Sequence, residues 1–337
     1  MEARSERGSA VLDTPLCRRL GVRYPVFQAG MGEVARGSLA LAVSRAGGLG
    51  VIGAAYFAPE ELRREIRMVK EGTDLPFGVD ILFAPATDGS EDSQGYAAEV
   101  EAQIRVVLDE RVPVLVSGLG SPGRVVPEAH DLGMSVMSIV GSAHQARQLA
   151  AEGVDIIIAS GQEGGGHVGR VGTMALVPRV VDAVSVPVVA GGGIADGRGL
   201  VAALALGAQA VWLGTRFVAT VEATAHINYK QRLVEIDESG TVVSRAHSGK
   251  PVRMIRNQFS DEWAARESEI RPFPLQLLHV GREASRLGRI EGNVDWGVLP
   301  SGQSAGLVDS VESAAVVVDR IMAEARAVLS RWGVQHG

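Results

Sequence analysis

The sequence predicts a (β/α)8 barrel, and three observations lead to that prediction. Eight short apolar segments, each suited to a buried strand, alternate with helical patterns at a spacing of about 20–30 residues. Glycine turns follow the first, sixth, seventh and eighth strands, and in a barrel all these turns lie at one face. The 337 residues, 46% of them hydrophobic, can build one large core. An open doubly wound sheet is the alternative, but its glycine fingerprint would follow the first strand.

Each predicted element has its own start and stop signals. Leucine and valine at helical spacing predict a helix over 38–46, which Gly47 and Gly48 end, and Pro59 starts a charged amphipathic helix. β-branched runs such as 154–159 predict buried strands. The predicted strands lie within 24–32 and at 49–53, 77–82, 113–117, 134–140, 154–159, 187–190 and 209–213, and the helices at 38–46, 59–70, 96–109, 123–132, 142–152, 176–184 and 197–206.

The chain does not close the barrel directly after the eighth strand. A long segment follows, with helical patterns, many Arg and Glu residues, and a possible strand pair near Thr241–Ser244 and Val252–Ile255. The eighth helix is predicted at 311–332, before a tail at 333–337. We expect the long segment to cover the C-terminal mouth of the barrel. The predicted domains are a loose N-terminal arm at 1–14, a barrel at 15–217 and 305–332, and an inserted lid or substrate subdomain at 218–304.

Composition excludes several classes of protein. The formal net charge of −6 and the absence of a Lys/Arg cluster argue against nucleic-acid binding. The longest apolar region, 200–213, is shorter than the roughly 20 residues of a membrane span. One cysteine, Cys17, cannot form an intramolecular disulfide, and no metal site is expected. These features predict a cytoplasmic protein that does not enter the membrane.

A glycine-rich stretch that contains one histidine is the main functional signal. Residues 160–172, from Ser160 to Gly172, follow the sixth predicted strand, so the glycines lie at the barrel mouth. Glycine lets the backbone approach a flat or anionic ligand closely. His167 stands among these glycines, and an imidazole with a pKa of about 6.5 exchanges protons near neutral pH. The alternative is a flexible surface loop in which the histidine is incidental.

Two further glycine loops predict a phosphate site. The stretch 191–197 follows the seventh strand, and Gly214-Thr215-Arg216 follows the eighth. Loops at these positions of a barrel often bind phosphate on backbone N–H groups, although the glycines could serve tight turns alone. Together with the glycines of 160–172, they suggest a flat phosphorylated cofactor such as FMN. A phosphosugar would also fit the phosphate loops, but the strand ends lack the Lys, Asp and Glu residues that such sites use.

Six motifs along the chain belong together. They are Phe27-Gln28-Ala29-Gly30-Met31, Ala46-Gly47-Gly48-Leu49-Gly50-Val51-Ile52-Gly53, Phe77-Gly78-Val79-Asp80, Glu163-Gly164-Gly165-Gly166-His167-Val168-Gly169, Gly192-Gly193-Ile194-Ala195-Asp196-Gly197 and Gly214-Thr215-Arg216-Phe217. These motifs resemble those of the nitronate monooxygenases, formerly called 2-nitropropane dioxygenases. The resemblance covers about residues 16–328, and the FMN-dependent enoyl-acyl-carrier-protein reductases share nearly the same motifs.

The resemblance implies a role for each matching residue. His167 would be the acid/base over the flavin, and the loop with Gln303 and Ser304 would bind the substrate. Asp80 stands where the family often has Asn, which would bring a charge to the flavin and remove an amide donor. Gly164 stands where the family usually has Ala. The implied FMN contacts are Gly30, Met31 and Asp80 at the ring or ribityl chain, Gly164 and Gly165 beneath the ring, and Gly192, Gly193, Gly214 and Thr215 at the phosphate.

The resemblance thus implies an FMN-dependent enzyme that oxidises alkyl nitronates with dioxygen. One alternative is a reductase that passes hydride from NAD(P)H to an enoyl thioester or a quinone, and another is a flavin- or phosphate-binding sensor without enzymatic activity. The expected partners are a small-molecule substrate and dioxygen, with NAD(P)H and a homodimer left open. Glu163 is expected either to orient His167 or to be solvated. Five other histidines are expected to be surface or subdomain residues: His130, His144, His226, His247 and His279.

Overall fold

Eight parallel strands closed into a barrel form the centre of the protein, whose computed structural model describes residues 11–84 and 90–332. The strands pair in the order β1-β9-β8-β6-β5-β4-β3-β2, and a bridge between Phe27 and Leu49 closes the circle. The predicted fold class is therefore confirmed. The strands are β1 Val26–Gln28, β2 Gly50–Gly53, β3 Phe77–Leu82, β4 Val114–Leu119, β5 Ser135–Val140, β6 Ile156–Ser160, β7 Gly166–His167, β8 Val188–Gly191, β9 Ala210–Leu213, β10 Thr241–Ser244 and β11 Val252–Ile255.

Helices surround the barrel, and the eight predicted ones occur within a few residues of their expected positions. The third of these, predicted at 96–109, begins at Glu91, earlier than expected, and Ser90 caps it. Residues 88 and 89 of the polar loop predicted before it lie outside the described part of the chain. The helices are α1 Pro15–Leu20, α2 Gly37–Arg45, α3 Pro59–Gly72, α4 Glu91–Asp109, α5 Val126–Asp131, α6 Ala143–Ala151, α7 Thr173–Val181, α8 Gly197–Ala205, α9 Thr215–Val218, α10 Ile227–Glu235, α11 Gln258–Ala265, α12 Arg282–Arg289 and α13 Ala314–Arg331.

The helix α1 was not predicted, and it closes the N-terminal end of the barrel. Thr14 caps it through a bond from Cys17 N–H to the threonine hydroxyl, 3.3 Å long. Leu16 and Cys17 are buried in the cluster that fills the barrel interior. Leu12 and Thr14 are buried as well, so this end of the predicted loose arm packs against the barrel. The rest of that arm, residues 1–10, lies outside the described residues, as does the predicted tail at 333–337.

Apolar side chains fill the barrel from alternate strand positions, as strand geometry requires. The outer strand faces pack against the helices, and α13 closes this layer beside α8. A Cβ at Gly197 would collide with the backbone of α13, so glycine permits this close approach. Among the described residues, no helix is both long and apolar enough to cross a membrane. The inward-facing strand residues are Phe27, Ala29, Val51, Val114, Val116, Met137, Ile156, Ile158, Val189, Ala210 and Trp212.

The segment between β9 and α13 is joined to the C-terminal mouth by a small sheet. Strands β10 and β11 form the predicted antiparallel pair, and β11 also pairs with β7, which lies in the loop after β6. In that second pairing Val252 lies opposite His167 and Arg253 opposite Gly166. This sheet therefore fixes the segment next to the glycine-rich loop. The division of the chain into a barrel and an inserted subdomain stays a prediction.

Candidate active site

One cavity lies at the C-terminal mouth of the barrel, and it contains about 1270 Å³ of empty space open to solvent. The cavity brings together every site residue expected from the sequence except Gln303. Those lining residues are Gly30, Met31, Asp80, Gly164, Gly165, His167, Gly192, Gly193, Gly214, Thr215 and Ser304.

Gln303 does not line the cavity. It lies in a neighbouring groove that Ser304 also borders, and its backbone N–H donates to the carbonyl of Glu163 at 2.9 Å. The assignment of Gln303 to substrate binding stays a prediction. The backbone of Gln303 holds the returning loop against the glycine-rich loop.

His167 is placed by the β7 pairing rather than by a free loop. Its side chain is half-buried, and Nε2 shares a hydrogen bond of 2.8 Å with the hydroxyl of Ser248. Burial, and then the positive charges of Lys250 and Arg289, lower its pKa from 6.5 to about 4. His167 is therefore neutral at pH 7, whereas the sequence predicted titration near neutral pH. Its other ring nitrogen, Nδ1, has no hydrogen-bond partner among the described residues.

Glu163 does not orient His167. Its carboxylate accepts hydrogen bonds from the backbone N–H of Thr173, at 3.0 Å, and from the Thr173 hydroxyl, at 2.9 Å. Thr173 is the first residue of α7, so the carboxylate satisfies an N–H group that the helix leaves free at its start. The acid next to the glycines is thus a structural cap.

The two loops predicted to hold phosphate present free backbone donors. Gly192 and Gly193 adopt the left-handed region, with φ of 93° and 72°, which glycine adopts without strain. The N–H groups of Gly193 and Gly214 have no hydrogen-bond partner among the described residues. The hydroxyl of Thr215 accepts a hydrogen bond of 2.9 Å from Gly302 N–H and keeps its own proton to donate.

The N-terminus of α8 is not available for phosphate. Its first N–H, that of Gly197, donates to Glu324 at 2.9 Å, and the N–H of Gly199 donates to Asp196 at 3.0 Å. Asp196 is thus the N-cap of α8. These two N–H groups are already satisfied and are not free to bind a phosphate.

Asp80 is buried in the wall of the cavity. Its side chain lies between Gly30 and Gly118, since a Cβ at either glycine would collide with it. Oδ1 has no hydrogen-bond partner among the described residues. Burial raises its pKa well above 3.8, against a smaller opposite effect of Gly118 N–H. Burial therefore disfavours the charged form that the sequence analysis expected at this position.

Four large polar side chains that were not selected as site residues from the sequence also line the cavity. His247, expected on the surface or in the subdomain, is 5% exposed, and its Nε2 lies 3.1 Å from Ser285 Oγ and 3.3 Å from Tyr56 Oη. Tyr56 has a positive φ of 74°, which is rare for a non-glycine residue. Tyr229 donates to the Pro300 carbonyl at 2.7 Å. Arg289 is the fourth.

Other histidines have structural partners. His130 pairs with Asp155, and His279 with Asp92, at 2.9 and 3.0 Å. His226 caps α10 through Asn228 N–H. Within residues 11–84 and 90–332, no group of three or more His, Cys, Asp or Glu residues is placed to hold a metal ion.

Comparison with known proteins gives consistent matches over nearly the whole chain. The family model described as nitronate monooxygenase matches residues 13–324. A probable nitronate monooxygenase from Staphylococcus saprophyticus is 34% identical, over 95% of this chain and 99% of the relative. A dehydrogenase from Mycobacterium tuberculosis, named (3aS,4S,5R,7aS)-5-hydroxy-7a-methyl-1-oxo-octahydro-1H-indene-4-carboxyl-CoA dehydrogenase, is also 34% identical, over 93% of this chain and 96% of the relative.

A solved structure agrees with these matches. The structure of FabK from Thermotoga maritima superposes with a TM-score of 0.85, at 36% identity, and covers 95% of this chain and 98% of that chain. The family model and the curated relative cover the barrel, the mouth cavity and the segment between β9 and α13 alike. The chain therefore belongs to the nitronate monooxygenase family and is a flavin-dependent oxidoreductase.

Proposed function

We propose that this protein uses FMN and dioxygen to oxidise alkyl nitronates, with His167 as the acid/base. The observation that carries the proposal is the position of a neutral imidazole in the mouth cavity, in the same cavity as unpartnered backbone donors at two glycine loops. The family match supports the nitronate as substrate. A sensor that only binds flavin would have no need of this imidazole.

The residues of the cavity fit FMN. The N–H groups of Gly193 and Gly214 and the hydroxyl of Thr215 suit a terminal phosphate, because backbone donors without partners bind anions well. The unpartnered Oδ1 of Asp80 gives a polar contact for the ring or the ribityl chain. When bound, FMN would accept the electrons of the substrate and pass them to dioxygen. The protein contributes position and proton handling.

His167 is suited to accept a proton. Ser248 holds the ring through Nε2, which leaves Nδ1 as the nitrogen without a partner among the described residues. Because the imidazole is neutral at pH 7, Nδ1 could remove the α-proton of a neutral nitroalkane, or Nδ1–H could donate to a nitro oxygen of a nitronate. Which tautomer is present depends on whether the Ser248 hydroxyl donates or accepts.

Anaerobic reduction of the flavin tests this proposal. FMN-loaded protein is mixed with ethylnitronate, NADH or NADPH in parallel, and the visible absorbance of the flavin is followed. Ethylnitronate should bleach the flavin, and air should restore the colour. Bleaching by NADH or NADPH with none by ethylnitronate would contradict the proposal.

Bleaching by NADH or NADPH alone would favour another candidate function, the reduction of an enoyl thioester. Its support is the 36% identity to FabK and the 34% identity to a carboxyl-CoA dehydrogenase. His167 would then donate a proton rather than accept one.

The cytoplasmic location and the homodimer stay predictions from the sequence alone.

A further inference from the structure

Arg289 is a buried cation at the wall of the mouth cavity. It is the last residue of α12, it lines the cavity, and it is only 6% exposed. Nη1 donates to the Gly32 carbonyl at 2.9 Å, and Nε to the Val298 carbonyl at 3.4 Å. No carboxylate among the described residues lies within ion-pair distance of its guanidinium. The two carbonyls therefore leave a net positive charge at the cavity.

No acid among the described residues forms an ion pair with Arg289. Glu33 is close enough to interact with Arg289, but burial raises its pKa, it forms no ion pair, and its Oε2 is buried without a partner among the described residues. Glu33 is also absent from the cavity lining. A buried charge without a counter-ion is unfavourable. We therefore explain the uncompensated charge of Arg289 by a ligand that supplies the anion.

Both histidines that share the cavity with Arg289 are neutral at pH 7. Burial, and then nearby positive charges that include Arg289, lower the pKa values of His167 and His247, so neither histidine acts as a second cation that competes for the anion. Nδ1 of His247 is buried without a partner among the described residues, whereas Nε2 lies near the hydroxyls of Ser285 and Tyr56. If those hydroxyls donate to Nε2, the proton is on Nδ1, which becomes a further donor.

We propose that Arg289, together with His247, forms an anion subsite in the mouth cavity that binds the planar, two-oxygen head of the substrate. A guanidinium matches two oxygens on one trigonal atom, a geometry that nitronates and carboxylates share. The subsite would select such anions over neutral molecules of the same shape, including enoyl thioesters, whose reacting carbonyl carries no charge. The choice of a nitronate rests on the proposed function, whereas the binding of an anion does not.

A pair of isosteric ligands tests the subsite without turnover. Benzoate and benzamide differ in charge but hardly in shape, and their dissociation constants for the FMN-loaded protein can be measured by calorimetry. Wild type should bind benzoate at least about tenfold more tightly than benzamide, and Arg289→Met should weaken benzoate binding by about 10–100-fold, with benzamide little changed. Arg289→Lys should keep part of the preference.

Lys230→Met is the matched control, because Lys230 is also a buried cation held by a carbonyl, that of Ala223, at 2.7 Å, but does not line the cavity. Its benzoate preference should equal that of wild type. Equal binding of both ligands by wild type would overturn the inference even if Arg289→Met did not fold, and so would a preference that survives Arg289→Met. If ethylnitronate fails to reduce the flavin while the Arg289-dependent preference remains, the proposed function falls and the subsite stands.

Discussion

The barrel loops and the segment between β9 and α13 contribute to the cavity in different ways. The barrel contributes mostly glycines, whose N–H groups and bare Cα atoms face the space. The segment contributes large polar side chains, including those of Tyr229, His247 and Arg289. His167 belongs to both, since it lies in a barrel loop but is held by β11 and Ser248 of the segment.

The difference suggests a division of labour. Backbone donors and glycine surfaces suit a cofactor that stays the same, because their position depends on the fold and not on one side chain. Side chains on a separate segment suit the substrate, because they can change without disturbing the barrel.

Gly214→Val should abolish FMN binding. A Cβ at Gly214 meets Ala29 Cβ and Met31 Sδ at an ordinary 3.6 Å, and φ is −100°, so the fold should tolerate a side chain there. The valine would occupy the space above an N–H that we assign to phosphate, and the FMN dissociation constant should rise by about 100-fold or more, measured by flavin fluorescence.

The matched control for this change is Gly95→Val on α4, where an added Cβ meets nothing within 4 Å. It should bind FMN like wild type. A Gly214→Val protein that retained its flavin would show that the barrel loop is not the phosphate site.

His167→Ala should keep FMN and lose turnover of neutral nitroalkanes by about 10²–10⁴-fold, which is the usual contribution of a positioned acid/base. Steady-state oxygen consumption measures the rate, and the flavin spectrum measures the cofactor. A preformed nitronate has already lost its proton, so the variant should be much less impaired with it. Loss of FMN would instead assign His167 to the cofactor site, and full activity on both forms would remove it from the mechanism.

Thr215→Val should weaken FMN binding by about 5–10-fold, because it removes one hydroxyl worth roughly 1 kcal/mol. The hydroxyl also accepts from Gly302 N–H, so the returning loop loses a contact. Thr220→Val is the control, since Thr220 is a buried threonine with one hydrogen bond to Phe217 and does not line the cavity. Equal FMN affinity of the two variants would argue against a phosphate contact at Thr215.

The pH profile should show the lowered pKa of His167. As a base, His167 must be neutral, so kcat/KM for a nitroalkane should fall as pH drops through the pKa of the free enzyme. The rate should fall to half near pH 4, since the pKa is about 4, and not near pH 6.5. A midpoint near 6.5 would mean that burial does not control this histidine.

The sequence predicted the barrel well because its signals are local. Runs such as 154–159 are apolar and β-branched, and glycine turns follow the strands at a regular interval. The helix α1 was not predicted, because it has only six residues and depends on the Thr14 cap. The position of Arg289 in the cavity was not predicted either, since a lone arginine on an amphipathic helix does not indicate which cavity it reaches.

The site was predicted only in part, because only some of its features have local signals in the sequence. Glycine loops are visible in the sequence, but the β7–β11 pairing joins residues far apart in the chain, so neither the proximity of His247 to the cavity nor the support of His167 could be inferred. The raised pKa of Asp80 follows from burial between two glycines, which composition does not reveal. Glu163 was expected either to orient His167 or to be solvated, and the sequence did not show that its carboxylate reaches Thr173 at the start of α7.

The affinities of the apo-protein for FMN and for riboflavin, both measured by fluorescence titration, test the phosphate site most directly. The two ligands differ only in the terminal phosphate, which we place at Gly193, Gly214 and Thr215. Two or three charge-assisted hydrogen bonds of about 1.5–3 kcal/mol each should make FMN bind at least about 100-fold more tightly. Equal affinities, or no flavin binding at all, would contradict the claim that the barrel loops hold the cofactor by its phosphate.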